Sequence, residues 1–204
     1  MNRIPSLPIV ISGPSGAGKT TLIDRLVPSD PRLKLSVSVT TRPPRNGEVE
    51  GEAYFFVTPE RFEELKKTEL VEWAEVHGCL YGTPGLYVRE TLESGRDVVL
   101  NIDIQGGIAI KKAFPAAVMI FILPPSFREL RERIERRGAD RSEDIAVRLD
   151  NARAEVSAAG DYEYLVINDD LDSAVADLKA IIAAERCKRE RRLEDFLDRF
   201  YAKK

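Results

Sequence analysis

The run Gly13-Pro14-Ser15-Gly16-Ala17-Gly18-Lys19-Thr20 follows the order G-x-x-x-x-G-K-[ST]. It comes after an apolar triplet, Ile9-Val10-Ile11, and opens a helical pattern that extends to Val27 and stops at Pro28. In that strand–loop–helix setting, this order binds the phosphates of a nucleoside triphosphate. Glycines let successive backbone N–H groups turn inward around phosphate oxygens. The helix that follows points its positive end at the same anion. Lys19 supplies a mobile cation for the β and γ phosphates, and Thr20 offers a hydroxyl to Mg2+, with Thr21 beside it in the first turn. At ordinary glycine frequency, a chance match in a chain of 204 residues has odds of about one per cent.

A second position of interest is Asp103, the carboxylate that ends an expected buried strand, Val98-Val99-Leu100-Asn101-Ile102-Asp103. Strand ends beside a phosphate loop carry ligands in folds of this kind, and a carboxylate there holds Mg2+ through water. The plain alternative is a strand-end acid. Between the loop and Asp103 lies a polar series: Ser36-Val37-Ser38-Val39-Thr40-Thr41-Arg42-Pro43-Pro44-Arg45, then Gly47-Glu48, Gly51-Glu52-Ala53-Tyr54-Phe55-Phe56, Glu72-Trp73-Ala74 and Tyr81-Gly82-Thr83. Paired arginines and tyrosine hydroxyls are the right grips for the dianion of a nucleoside monophosphate. Each residue also has a bland reading when taken alone. The arginines could be solvated loop charges, Glu72 an ordinary strand carboxylate, and the tyrosines core aromatics.

Together, in this order and after the phosphate loop, the series resembles guanylate kinase. The resemblance runs from the loop to Val166-Ile167-Asn168-Asp169-Asp170-Leu171-Asp172. It implies a P-loop α/β core, a parallel sheet flanked by helices, an inserted GMP-binding lobe and a helical lid. It implies transfer of the γ-phosphate of ATP to GMP, with Mg2+ at Thr20 and Asp103. On the acceptor side, the resemblance assigns Arg42, Arg45, Tyr54 and Tyr81 to the GMP phosphate. It gives Ser38 and Glu72, with Gly82 and Thr83 beside them, to guanine, and places Asn101 and Asp103 at the edge of that site. On the donor side, Gly13 to Thr21 hold the phosphates of ATP, and Asn168 and Asp169 lie beside adenine. Lys19, Arg45 and the lid residues Arg137 and Arg148 carry the catalytic charge.

Guanine presents N1–H and N2–H2 on one edge, and a fixed carboxylate accepts both, a pair that adenine lacks. A site built on such complementarity rejects a mismatch by roughly 10⁴-fold, because its buried polar groups would go unpaired. The chain departs from the family in two places. Asn101-Ile102-Asp103 stands where relatives usually have an acid at each end, so Asn101 offers hydrogen bonds without an anion. Gly85 stands where relatives often carry a basic residue. Two rivals remain at this stage. One is another small kinase, acting on AMP, dTMP or a sugar phosphate; Glu72 and the paired arginines argue against it. The other is a partner-binding module without activity; the intact Gly13, Gly18, Lys19 and Thr20 argue against that.

Alternating periodicities supply the elements that hold these residues. Strands are expected at 9–11, 98–103, 118–123 and 164–167, and helices from Gly18, Thr58, Gly85, Phe127, near Ile145, and from Leu171 to about Tyr201. Thr58-Pro59-Glu60 reads as a helix start. Strand–helix alternation argues for a parallel sheet covered on both faces. Residues 34–88 break it, with β-like character over 36–57 and turn chemistry at Pro43-Pro44 and Asn46-Gly47. They read as an inserted lobe between core segments 1–33 and 89–204, with a lid at about 137–150.

The composition is ordinary for a soluble domain: 43% apolar, 32% charged and a net charge of −3. It argues against a nucleic-acid partner. No run approaches the roughly 20 apolar residues of a membrane span, and the start does not read as a signal peptide. Cys79 and Cys187 form no paired motif and suit a reduced cytoplasm. His77 has no companions at metal spacing. The expected partners are therefore ATP and GMP or dGMP. Near the C-terminus, Lys188, Arg189, Arg191 and Arg192 read as a solvated face. Leu193, Phe196, Leu197 and Phe200 read as an apolar stripe packed on the core or on a second subunit, which leaves monomer or homo-oligomer undecided.

Overall fold

The computed structural model describes residues 5–76, 78–136 and 142–201. A five-stranded parallel sheet forms the centre. Its strands are β1 (Pro8–Ser12), β2 (Leu33–Leu35), β7 (Asp97–Asn101), β8 (Val118–Leu123) and β9 (Tyr164–Ile167), in the order β2-β7-β1-β8-β9. Every pairing in it is parallel, so both faces need helices and the strands read as continuous apolar runs. Side chains alternate as a strand requires. Ile9 and Ile11 join one core with Ile120 and Ile122, while Val10 joins the other with Met119 and Phe121. Helices α1 (Lys19–Leu26) and α7 (Leu171–Arg186) cover the first face, through Leu22, Leu26, Leu178 and Ile182. Helices α3 (Gly85–Glu93) and α4 (Ile104–Ala113) cover the second, through Val88 and Ile110. Ile9, Val10 and Ile11 are fully buried, and each such side chain contributes about 1.5–3 kcal/mol.

A second sheet of four strands, in the order β4-β3-β6-β5, comes from β3 (Val39–Thr40), β4 (Phe55–Phe56), β5 (Leu70–Val76) and β6 (Cys79–Pro84). Helix α2 (Pro59–Thr68) closes it with Phe62 and Leu65 beside Val39. As its sequence suggests, Thr58 caps α2, accepting the Arg61 N–H at 3.2 Å. Two helices, α5 (Phe127–Arg136) and α6 (Ser142–Ser157), join through Leu130 and Ile134 against Leu149 and Ala152.

Several expectations change. The β-like stretch 36–57 contains only β3 and β4; the rest is turns and loops. Strand β2 ends at Leu35 and pairs with β7, so an expected lobe boundary at 34 cuts through a strand of the large sheet. Helix α4 had no sequence counterpart, and α6 starts at Ser142 instead of near Ile145. The long C-terminal helix divides at Cys187–Lys188 into α7 and α8 (Arg189–Tyr201). The buried Glu185 takes Lys188 and Arg191 across the break. The apolar stripe does not pack on the core: Phe196 is 51% and Phe200 67% exposed, and the two rings stack on each other at 5.5 Å. Arg137 and His77 lie outside the described residues. Among those described, no helix is long and apolar enough to cross a membrane.

Candidate active site

The phosphate loop leaves β1 at Ser12 and enters α1 at Lys19. Gly13, Gly16 and Gly18 take φ of 148°, 90° and 92°. The tightest approach is at Gly18, where a Cβ would lie 2.3 Å from Asn168 Nδ2. That amide donates to Ala17 O at 2.7 Å and ties the loop to the end of β9. Ala17 N–H in turn donates to Pro14 O at 3.1 Å. Lys19 Nζ donates to the carbonyls of Gly13 and Pro14, which holds the ammonium at the loop mouth. Thr20, exposed in the first turn of α1, is free of helix-packing duty.

The facing wall belongs to the small sheet. Arg42 leaves the end of β3 and lies beside the rings of Tyr54 and Phe56 at 5.3 and 5.9 Å. Both oxygens of Glu48 accept from Arg42 Nη2, at 2.8 and 2.9 Å, and Glu48 Oε2 also takes the Arg45 N–H at 2.7 Å. The turn at Gly47 (φ 87°) brings Glu48 back to these partners. The Glu48 hydrogen bonds hold the Arg42 guanidinium firmly charged, and Arg42 in return keeps Glu48 ionised. Burial pushes the Tyr54 hydroxyl upward, so it remains a donor to an anion. Arg45 is exposed at the rim.

Glu72, on β5, pairs across the hairpin with Thr83 on β6. The Thr83 hydroxyl, fully buried, donates to Glu72 Oε1. Burial pushes the Glu72 carboxyl up; the Thr83 hydrogen bond opposes this, and the charge of Asp103 adds to it. Asp103 lies two residues past β7 and not in the strand, where it caps α4. Its Oδ1 accepts the Gly106 N–H at 2.8 Å, leaving Oδ2 for a ligand. Asn101 is the last residue of β7 and is exposed.

Most of these groups line one cleft of about 750 Å³, well within the usual range for small-ligand sites; Thr83 does not reach it and meets it only through Glu72. Gly13, Ser15, Lys19 and Thr20 face Ser38, Arg42, Arg45, Tyr54, Glu72, Tyr81 and Gly82 across it, with Asn101 and Asp103 at the floor. Arg148 enters from α6, its Nη2 donating to Ser15 Oγ at 2.8 Å. A smaller recess of about 330 Å³ lies behind the loop, lined by Thr21, Asn168 and Asp169 together with Arg133 and Arg136. Arg133 also donates to Asn168 O at 3.0 Å.

Sequence reasoning missed Glu48, Arg133, Arg136, Asn151 and Glu155. The last two could have been found, because Arg148, Asn151 and Glu155 stand at i, i+3 and i+7, one face of a helix, and all three line the cleft. Burial pushes the Glu155 carboxyl up, while Lys19 and the Ser15 N–H pull it down. For a divalent ion the donor set is hard oxygen: the Thr20 hydroxyl and the open oxygen of Asp103. That suits Mg2+, which keeps several waters and takes its other ligands from phosphate. Among the described residues no cluster of three carboxylate, histidine or cysteine ligands stands ready for a metal.

Known proteins resemble the chain over nearly its whole length. The family model described as "Guanylate kinase" matches residues 6–185. A guanylate kinase of Caldanaerobacter subterraneus subsp. tengcongensis is 50% identical over 190 residues, covering 93% of this chain and 92% of that protein. One from Halalkalibacterium halodurans is 47% identical over 197 residues, covering 96% and 97%. The crystal structure of guanylate kinase from Anaplasma phagocytophilum superposes with a TM-score of 0.76 at 32% identity, covering 98% of each chain.

Proposed function

The chain belongs to the guanylate kinase family and transfers the γ-phosphate of ATP to GMP; we propose that the two walls of the cleft divide this work. The observation that carries the division is the placing of Lys19 and the Arg42–Arg45 pair on opposite sides of one cavity. ATP lies along Gly13–Thr21, with its base in the recess bounded by Asn168, Asp169, Arg133 and Arg136. GMP lies against the small sheet. Arg42, Arg45, Tyr54 and Tyr81 hold its phosphate, and Ser38 and Glu72 read guanine, with Gly82 beside them and Thr83 behind Glu72. Asn101 adds a neutral hydrogen-bonding group between the two.

A GMP phosphate oxygen forms a bond to the γ-phosphorus while the bond from that phosphorus to the bridging oxygen of ADP breaks. No strong base is needed, because the attacking group is already an anion. Lys19 and Arg148 follow the charge as it spreads over the transferring oxygens, and Arg137 would join them from the lid. The Thr20 hydroxyl and, through water, Asp103 would hold Mg2+, which would supply positive charge against that of the phosphates. Water, the competing acceptor, has to be kept from the cleft, and closure of the small lobe and of α6 over the core would exclude it. Free nucleotide substrates and two unpaired cysteines, Cys79 and Cys187, fit a reducing cytoplasm.

The deciding experiment is a coupled ADP-release assay with GMP, dGMP, AMP, CMP and UMP. GMP and dGMP are expected to turn over, with kcat/KM for the others lower by roughly 10⁴-fold. Comparable rates with AMP would defeat the assignment of Glu72. A pH dependence follows as well. Glu72 accepts two guanine N–H groups only when ionised, and its carboxyl titrates above the ordinary range because it is buried. Lowering the pH from neutrality should therefore raise KM for GMP before KM for ATP. The GMP phosphate also titrates, near pH 6, so the same series with Glu72→Gln isolates the carboxylate. A GMP profile identical in the two proteins would remove Glu72 from guanine binding.

A further inference from the structure

Gly106 stands in the first turn of α4, buried, with ordinary helical backbone. Its conformation does not require glycine, and alanine is the better helix former. Space is what requires it. A Cβ at this position would lie 3.0 Å from Glu72 Oε2 and 3.2 Å from Glu72 Cδ, tighter than side chains ordinarily pack, and 3.4 Å from Asp103 Oδ1, an ordinary contact. The Glu72 carboxylate cannot simply withdraw. On its far side Oε1 is held by the buried Thr83 hydroxyl, on the strand that pairs with β5. The carboxylate thus fills a slot with Thr83 as one side and the bare Cα of Gly106 as the other. The N-terminal end of α4, whose partial charge is positive, then approaches the anion closely.

We propose that Gly106 is a specificity-determining residue that acts through Glu72. The missing side chain sets the depth at which the carboxylate meets the acceptor base. This rests on the reading of Glu72 as the guanine acceptor. A methyl group would move the carboxylate by a few tenths of an ångström, close to the ~0.5 Å tolerance of a precise site.

The test is Gly106→Ala, assayed with GMP and with IMP, whose base lacks the 2-amino group. The variant should fold with Tm unchanged or raised. KM for ATP should stay within about twofold, KM for GMP should rise about tenfold, and the preference for GMP over IMP should fall by a similar factor. In a Glu72→Gln background the same substitution should add less than about twofold, the signature of a shared pathway. Gly107→Ala is the control. Its Cβ would meet Tyr162 Oη at 2.7 Å and Met119 Cε at 3.2 Å, so it should lower Tm and leave the preference alone.

An unchanged KM for GMP in Gly106→Ala overturns the proposal. So does a full effect persisting without Glu72, or a parallel rise in both KM values with a lowered Tm. Glu72→Gln alone separates the two claims. If it keeps the preference for GMP, the reading of Glu72 fails, and the proposal with it. If it loses the preference while Gly106→Ala does not, only the role of Gly106 falls.

Discussion

Lys19→Ala is expected to lower turnover by 10³-fold or more, about 4 kcal/mol of transition-state stabilisation, while the protein stays folded. Lys19 sits at the loop mouth with its ammonium on the carbonyls of Gly13 and Pro14, outside both hydrophobic cores. The loop keeps its shape by other means, since Asn168 holds Ala17 and Ala17 turns back on Pro14. Backbone N–H groups and the end of α1 still attract the triphosphate, so affinity for ATP should fall less than turnover. What is lost is the cation that follows charge onto the β–γ bridge as the bond breaks. A coupled assay beside a thermal melt checks both halves. Activity above about a tenth of the parent, a deficit under 1.4 kcal/mol, would show that Lys19 is not the residue that carries this charge.

The parts legible in the sequence are those fixed by short-range rules. The phosphate loop is a local arrangement of glycines, lysine and hydroxyl between a strand and a helix, and Thr58-Pro59 announces α2 by capping alone. The buried strands β1, β7 and β8 declare themselves as apolar runs. Longer-range chemistry was hidden. Nothing in the spacing of Arg42 and Glu48 says that the acid takes two hydrogen bonds from one guanidinium nitrogen, because a turn at Gly47 decides that. Helix α4 was masked by Gln105-Gly106-Gly107, which reads as a breaker. The two glycines are there for tertiary reasons, one against Glu72 and the other against Tyr162, Met119 and Val10. The lobe looked more β-like than it is, because Tyr54, Phe55 and Phe56 pack as ring contacts around Arg42 and Tyr87 without extending into long strands. The stripe on α8 has helical spacing but no core to meet, a difference that periodicity alone does not carry.

Arg148→Ala should lower kcat by roughly 10²–10³-fold, about 3–4 kcal/mol, with KM for either nucleotide changed by no more than about threefold. Arg148 reaches the cleft from α6, which is pinned to α5 by Leu149 and Ala152 against Leu130 and Ile134. Its guanidinium already touches Ser15 in the phosphate loop, the side on which the γ-phosphate must lie. On the proposed division, ground-state binding rests elsewhere: on the backbone of the loop for ATP, and on Arg42, Arg45 and Tyr54 for the GMP phosphate. An interaction that strengthens only as charge spreads over the transferring oxygens lowers the barrier without deepening either binding well. Arg148→Lys refines the point. It keeps the charge but not the planar fork that bridges two phosphate oxygens, so it should recover part of the loss and not all of it. Steady-state kinetics with both substrates varied gives the two KM values and kcat separately. A large rise in KM for GMP at unchanged kcat would place Arg148 among the residues that hold the acceptor before reaction. Full activity in the lysine variant would mean that charge alone, without the fork, is what α6 delivers to the phosphate loop.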